Sequence, residues 1–184
     1  SFKRKKWINS TNLSWYIKPI SYNPLFFLKP QNLKLKKEKL HFNFKMNGYI
    51  ALENNQSFNE YRNKFSGEKL YFQYQENDSK IEFCYKLSRR KKIIKELIIG
   101  NVEFDDFDEN IMKNAFEDFI KKIKKYKMAN FISIAISDNT NIFKNVIISK
   151  GFRFINKKIY FIHKSNENIN LNNILLFRSD IDTW

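Results

Sequence analysis

The stretch KLYFQYQ alternates Leu70, Phe72 and Tyr74 with polar positions, and KIEFCYKL alternates Ile81, Phe83, Tyr85 and Leu87 with Glu82, Cys84 and Lys86. An apolar period of two marks a half-buried strand, and the turn-rich QENDSK between the runs makes them a hairpin. KELIIGNVEF predicts a third strand. NFISIAIS is uncharged on both parities, with Ile132, Ile134 and Ile136 on one side and Phe131, Ser133, Ala135 and Ser137 on the other. That pattern predicts a central strand covered on both faces. GFRFINKKIYFIHK and NILLFRS predict two last strands paired antiparallel, and LHFNFKMNGYIALE predicts a strand or two earlier.

Between these runs the period changes. DFDENIMKNAFEDFIKKIKKYKM places Ile111, Met112, Ala115, Phe116, Phe119, Ile120 and Ile123 on one helical stripe. Asp106, with Glu109 three residues on, predicts a capping box at its start. Glu117 with Lys121 and Asp118 with Lys122 are i, i+4 pairs in the favourable order. The lysines crowding the last turn suit the helix dipole, so this basic run reads as a solvated helix face. DNTNIFKNVIISK predicts a short helix begun near Asn141. Gly151, one of four glycines in the chain, falls where a helix needs a left-handed residue to stop.

The element order from residue 69 is strand, strand, strand, helix, strand, helix, strand, strand. It predicts an α+β fold with a mixed, mostly antiparallel central sheet flanked by helices. One strand-helix-strand unit, residues 95 to 137, predicts a right-handed parallel crossover. Residues 1–39 are basic and hold all three prolines, Pro19, Pro24 and Pro30. They are expected as an ordered arm packed on a single domain of residues 40–184. The chain starts at Ser1, and a further domain upstream is expected.

Composition alters this picture little. The net charge is +15, which suits a polyanion. Lys outnumbers Arg by 28 to 6, however, and Arg is the residue that pairs bidentately with phosphate and guanine. Lys, Asn, Ile and Phe also share AT-rich codons, so a Lys-coated surface is the preferred reading and a nucleic-acid partner is not favoured. The single cysteine, Cys84, excludes an internal disulfide and any multi-cysteine metal site. No run reaches the roughly 18 apolar residues of a membrane span, and SFKRKKWI lacks the apolar core of a signal peptide. A cytoplasmic protein is expected. Of the two histidines, His41 and His163, the second reads as a sheet or rim residue, Cys84 as a structural thiol, and Asp180 and Asp182 as turn caps. No metal site is expected.

The order of elements, ELIIGNV before the long helix and ISKGFRF at 148–154 together resemble the GNAT (Gcn5-related N-acetyltransferase) fold. TNLSWYIKPISYNP resembles the Leu-Asn-Trp-Arg-Tyr then His-Pro stretch that opens the second half of some tandem GNAT-like proteins, and FRSDIDTW resembles their closing Asp-x-Asp-Thr stretch. The resemblance covers most of residues 11–184. It implies an N-acyltransferase that takes acetyl-CoA or another acyl-CoA as co-substrate and a small-molecule amine as acceptor, in surface-polysaccharide metabolism. It implies that the sheet splays between ELIIGNV and ISIAIS, with the acyl-pantetheine arm in the gap. Gly100, Asn101 and Val102 would contact that arm, Asn141 would line the cleft, and Glu103 would remove the proton from the amine.

The chain departs from the family pattern in two places. The glycine-rich turn that holds the coenzyme pyrophosphate at a helix N-terminus is replaced by GNVEFDDFDEN, with Asp105, Asp106, Asp108 and Glu109 at the helix start. The tyrosine usual four residues before Gly-Phe is Ile147. These departures motivate one alternative, a catalytically degenerate binding or scaffold half, partnered by another GNAT-like fold or by a second copy. The +15 charge, with the tandem aminoacyltransferases that share the resembled fold, motivates another, an aminoacyl-tRNA-dependent transferase that binds tRNA.

Overall fold

The computed structural model describes residues 10–23, 50–51, 69–90, 93–138, 140–162 and 174–181. In chain order the elements are β1 (Ser10–Pro19), β2 (Ile50–Ala51), β3 (Leu70–Glu76), β4 (Ser79–Arg90), β5 (Ile94–Phe104), α1 (Glu109–Lys125), β6 (Phe131–Ser137), α2 (Asn141–Ser149), β7 (Arg153–Ile162), β8 (Ile174–Leu175) and α3 (Arg178–Ile181). Six strands form one sheet in the order β3-β4-β5-β6-β1-β7. Every neighbouring pair is antiparallel except β5 with β6. The fold is α+β, with a mixed, mostly antiparallel sheet and two longer helices.

The hairpin forms as its pattern requires. Glu76 pairs with Ser79 across a two-residue turn, where Asn77 takes φ 52°, a left-handed value that Asn tolerates better than most residues. Leu70, Phe72, Ile81, Phe83 and Tyr85 enter one core, whereas Leu87 is exposed near the strand end. Helix α1 lays Met112, Ala115, Phe116, Phe119, Ile120 and Ile123 on that same face. The Phe119 ring stacks on Phe83 at 4.8 Å, and Phe116 meets Phe83 edge-on at 4.8 Å. Helix α2 adds Phe143, Val146 and Ile147 to the same cluster, so both helices cover one face of the sheet. The opposite face carries smaller groups: Leu13, Trp15, Ala135 and Leu176, and Cys84 with Ile98.

Three expectations are corrected here. The cap of α1 is Asp108, whose Oδ1 accepts from Asn110 N at 2.8 Å and Ile111 N at 2.9 Å. A box from Asp106 to Glu109 places the cap two residues early, because the chain stays extended through Asp108 (φ −114°, ψ 124°). Among the described residues the expected antiparallel pair of last strands does not form. β7 pairs with β1, and β8 pairs in parallel with β2. The position beside β7 goes to residues 10–19, expected as part of an ordered arm packed on the domain. They form β1, an interior strand with β6 on one side and β7 on the other.

Other expectations hold. Glu117–Lys121 (2.7 Å) and Asp118–Lys122 (3.2 Å) are ion pairs along α1. β6 is central, with every residue from Ile132 to Ser137 buried. Gly151 has φ +81° and closes α2: Gly151 N donates to Ile148 O (2.9 Å) and Phe152 N to Ile147 O (3.1 Å), the two bonds of a Schellman motif. Lys18 of β1 donates through Nζ to Lys150 O beside it. His41, His163 and Asp182 lie outside the described residues, as does all of LHFNFKMNGYIALE except Ile50–Ala51. Asp180 falls within α3.

Candidate functional site between two parallel strands

β5 and β6 part company halfway along. Their parallel register runs from Glu96↔Phe131 to Ile99↔Ile134. Both strands then continue, β5 to Phe104 and β6 to Ser137. The break coincides with a bulge. Tyr85 faces Ile99 and Cys84 faces Asn101, so Gly100 is the extra residue on β5. A bulge bends its strand and raises the local twist, which turns the end of β5 away from its neighbour. The bulge also switches parity. Leu97 and Ile99 face the helices before it, and Val102 and Phe104 face them after it.

The chain fills this gap itself. Phe177 forms an antiparallel bridge with Ile136. Ser137 N donates to Leu176 O at 3.0 Å, and Leu176 N donates to Ser137 Oγ at 3.2 Å. The other edge of β6 is occupied by β1, through Ser14↔Ile136, so the segment lies on the β5 side. Its side chains alternate as those of a sheet strand do. Leu175 and Phe177 join the helix-side core and Leu176 the opposite cluster, all three at most 3% exposed. The Phe177 ring meets Phe143 edge-on at 5.4 Å.

The residues expected to serve the reaction fall around this gap. Gly100, Asn101, Val102 and Glu103 form the part of β5 beyond its pairing with β6. Asn141 is exposed at the first turn of α2, beyond the end of β6. Val102 N donates to Asn101 Oδ1 (2.9 Å), and Asn101 Nδ2 donates to Glu103 Oε1 (2.9 Å). Asn101 and Glu103 lie on the sheet face away from the helices, since Val102 and Phe104 between and beyond them point to the core. Ile147, at the position of the usual tyrosine, is fully buried.

Apart from Cys84, the polar groups next to this stretch were not singled out in the sequence. Glu82 sits directly across from Glu103 and is buried, and Gln73 Nε2 donates to its Oε2 at 2.9 Å. Tyr71 and Cys84 share that face, and burial pushes the Cys84 thiol up to about 12. The hairpin alternation already places Gln73, Glu82 and Cys84 on one face. Only the register of β4 against β5 brings Glu103 beside them. At the far end of β6, Ser14 Oγ donates to Asp138 Oδ1. Lys144 Nζ lies 3.7 Å from that same oxygen. Burial, then the Asp138 charge, raises the pKa of the neighbouring Tyr16.

Among the described residues no three His, Cys, Asp or Glu side chains are grouped to hold a metal ion. No described helix is long and apolar enough to cross a membrane. Comparison with protein-family models, with curated proteins and with solved structures finds no match.

Proposed function

We propose that this chain is a GNAT-like domain that acts by binding and assembly rather than by acyl transfer. The observation that carries this reading is the occupied gap between β5 and β6. Where the resemblance puts an acyl-pantetheine arm, Leu175, Leu176 and Phe177 lie buried, and side chains of this size stabilise by about 1.5–3 kcal/mol each when fully buried. Donors suited to a cofactor are also engaged within the chain. Val102 N is held by Asn101, Ser137 N by Leu176, and the first amides of α1 by Asp108. Asp105, Asp106, Asp108 and Glu109 surround that helix start and would repel a pyrophosphate. The partner in this reading is a second GNAT-like fold or a second copy of the chain.

Acyl transfer is the second reading, favoured by the parting of β5 and β6 itself. Glu103 would then be the general base and acetyl-CoA the donor. Titration calorimetry with millimolar acetyl-CoA separates the two. No heat is expected, and saturable binding would return the chain to the acyltransferases. A tRNA partner has less behind it. Lys113, Lys121 and Lys122 are each paired with a carboxylate along α1, and Lys124 and Lys125 sit at its C-terminus, where the helix dipole favours cations.

A further inference from the structure

We infer that Trp15, Lys157 and Arg178 form a binding site for a carboxylate, on the sheet face away from the helices. The site itself does not depend on how the β5/β6 gap is read, and only the source of the carboxylate rests on the assembly reading.

Two cations meet at one ring. Lys157 Nζ lies 4.7 Å from the centroid of the Trp15 indole, and the guanidinium carbon of Arg178 lies 5.8 Å from it. They come from separate elements, β7 and the start of α3. Trp15 is buried and packed with Leu13, Ala135, Leu176 and Ile155, so the indole is a fixed apolar floor. The ring quadrupole attracts a cation without neutralising it. Lys113, Lys121, Lys122, Lys144, Lys150 and Arg90 each have a carboxylate within ion-pair distance. Among the described residues Lys157 and Arg178 have none.

A second observation points to a ligand. Arg178 Nε is buried and has no hydrogen-bond partner, although the residue as a whole is half-buried and Lys157 is exposed. Buried donors are almost always paired, so an unpaired one favours any acceptor that can reach it. The Nε and Nη edge of an arginine makes two parallel bonds to the oxygens of a carboxylate. Turning that edge onto a carboxylate satisfies Nε, and Lys157 on the same indole adds positive charge. The apolar floor lowers the local dielectric and strengthens the contact. Phosphate fits less well, because the place offers one fork and no glycine-rich turn to cradle it. On the assembly reading the carboxylate is an Asp or Glu side chain of the partner. Trp and Arg are the residues in which binding energy concentrates at protein interfaces.

NMR of the full ¹⁵N-labelled chain tests this, with the Arg178 Nε–H and the Trp15 indole N–H followed at pH 7. Acetate should move both signals saturably, and chloride at the same ionic strength should not. An equal response to chloride, or none to acetate, overturns the inference. A stronger response to phosphate than to acetate overturns the assignment to a carboxylate. Arg178→Lys keeps the charge and loses the fork, and should weaken acetate binding at the indole signal by at least about tenfold. Unchanged binding in that variant would show that the fork is not what recognises the ligand. Lys157→Gln should weaken it about twofold. The wild-type titration is decisive on its own if Arg178→Lys does not fold. A blocked aspartate, N-acetyl-Asp-N-methylamide, separates the sources: binding tighter than acetate supports a partner's side chain, and weaker binding assigns the site to a free organic acid. Heat from acetyl-CoA would sink the closed-gap reading and leave the acetate result standing, whereas silence towards acetate would sink this site alone.

Discussion

From Glu96 to Ile99, β5 lies against β6 in a parallel ladder, and from Gly100 onward the two strands have different neighbours on their facing edges. The lower half is joined by main chain. There Leu97, Ile99, Ile132 and Ile134 point at the helices, and Glu96, buried behind them, receives Ser133 Oγ and Arg90 Nε. The upper half is joined by side chains. Rings of Phe104, Phe107, Phe116, Phe143 and Phe177 surround the end of the gap, with centroids 5.4–6.5 Å apart. A ladder fixes register at every residue, whereas an aromatic cluster tolerates a change of what lies between the strands. The upper half takes residues 176 and 177 of the chain against β6, where the lower half has β5 itself.

The largest expected effect is at the hub of that aromatic cluster. Phe143 is fully buried and touches four of the other rings. Phe143→Ala should cost about 3–5 kcal/mol, read by urea melts. A cost below about 1 kcal/mol would mean that main chain, not rings, holds the upper half, and the contrast between the halves would break.

The junction after α2 sharpens the comparison, because it separates a ring from a backbone within two residues. Phe152 is buried with its ring edge-on to Phe116 at 6.0 Å, and Phe152→Ala should also cost about 3–5 kcal/mol. Gly151→Ala should cost about 1 kcal/mol, since φ +81° penalises a Cβ. That Cβ would also lie 2.8 Å from Lys18 Nζ, which must move off Lys150 O. A neutral or stabilising Gly151→Ala would show that the left-handed stop is dispensable.

The smallest effect is chemical. Cys84 lies on the sheet face away from the helices with Ile98 and Tyr71. Burial is the chief cause that raises its thiol to about 12, so at pH 8 the folded protein holds almost no thiolate. Ellman's reagent should leave Cys84 unmodified at pH 8 until the protein is unfolded in urea. Rapid labelling of folded protein would show that this face is open to solvent beside Glu82 and Glu103.

Much of the fold is legible along the chain because it follows from local period and caps. The hairpin, β5, α1, β6, α2 and the Gly151 stop are each set by residues within one element. Even the bulge leaves a trace: apolar residues sit at odd positions 97 and 99, then at even positions 102 and 104, with Gly100 between. The candidate site is less legible. Gly100 through Glu103 could be read as one stretch, but Glu82 joins Glu103 only through the register of β4 against β5. NILLF is apolar on both parities, as β6 is, which marks an interior strand without saying between which neighbours. The SWYIKP run of β1 and this NILLF run are equally good strands in isolation. Tertiary structure alone decided that the first sits between β6 and β7 and the second in the β5/β6 gap. Pairing partners are chosen by contacts between residues far apart in the chain, Trp15 with Ala135 and Ile136 with Phe177. The sequence by itself determined the hairpin, β5, α1, β6 and α2, whereas residues 10–19, expected as part of an arm, became an interior strand only through their pairing with β6 and β7. Whether the gap between the parallel strands is open or closed was decided by the assembled sheet.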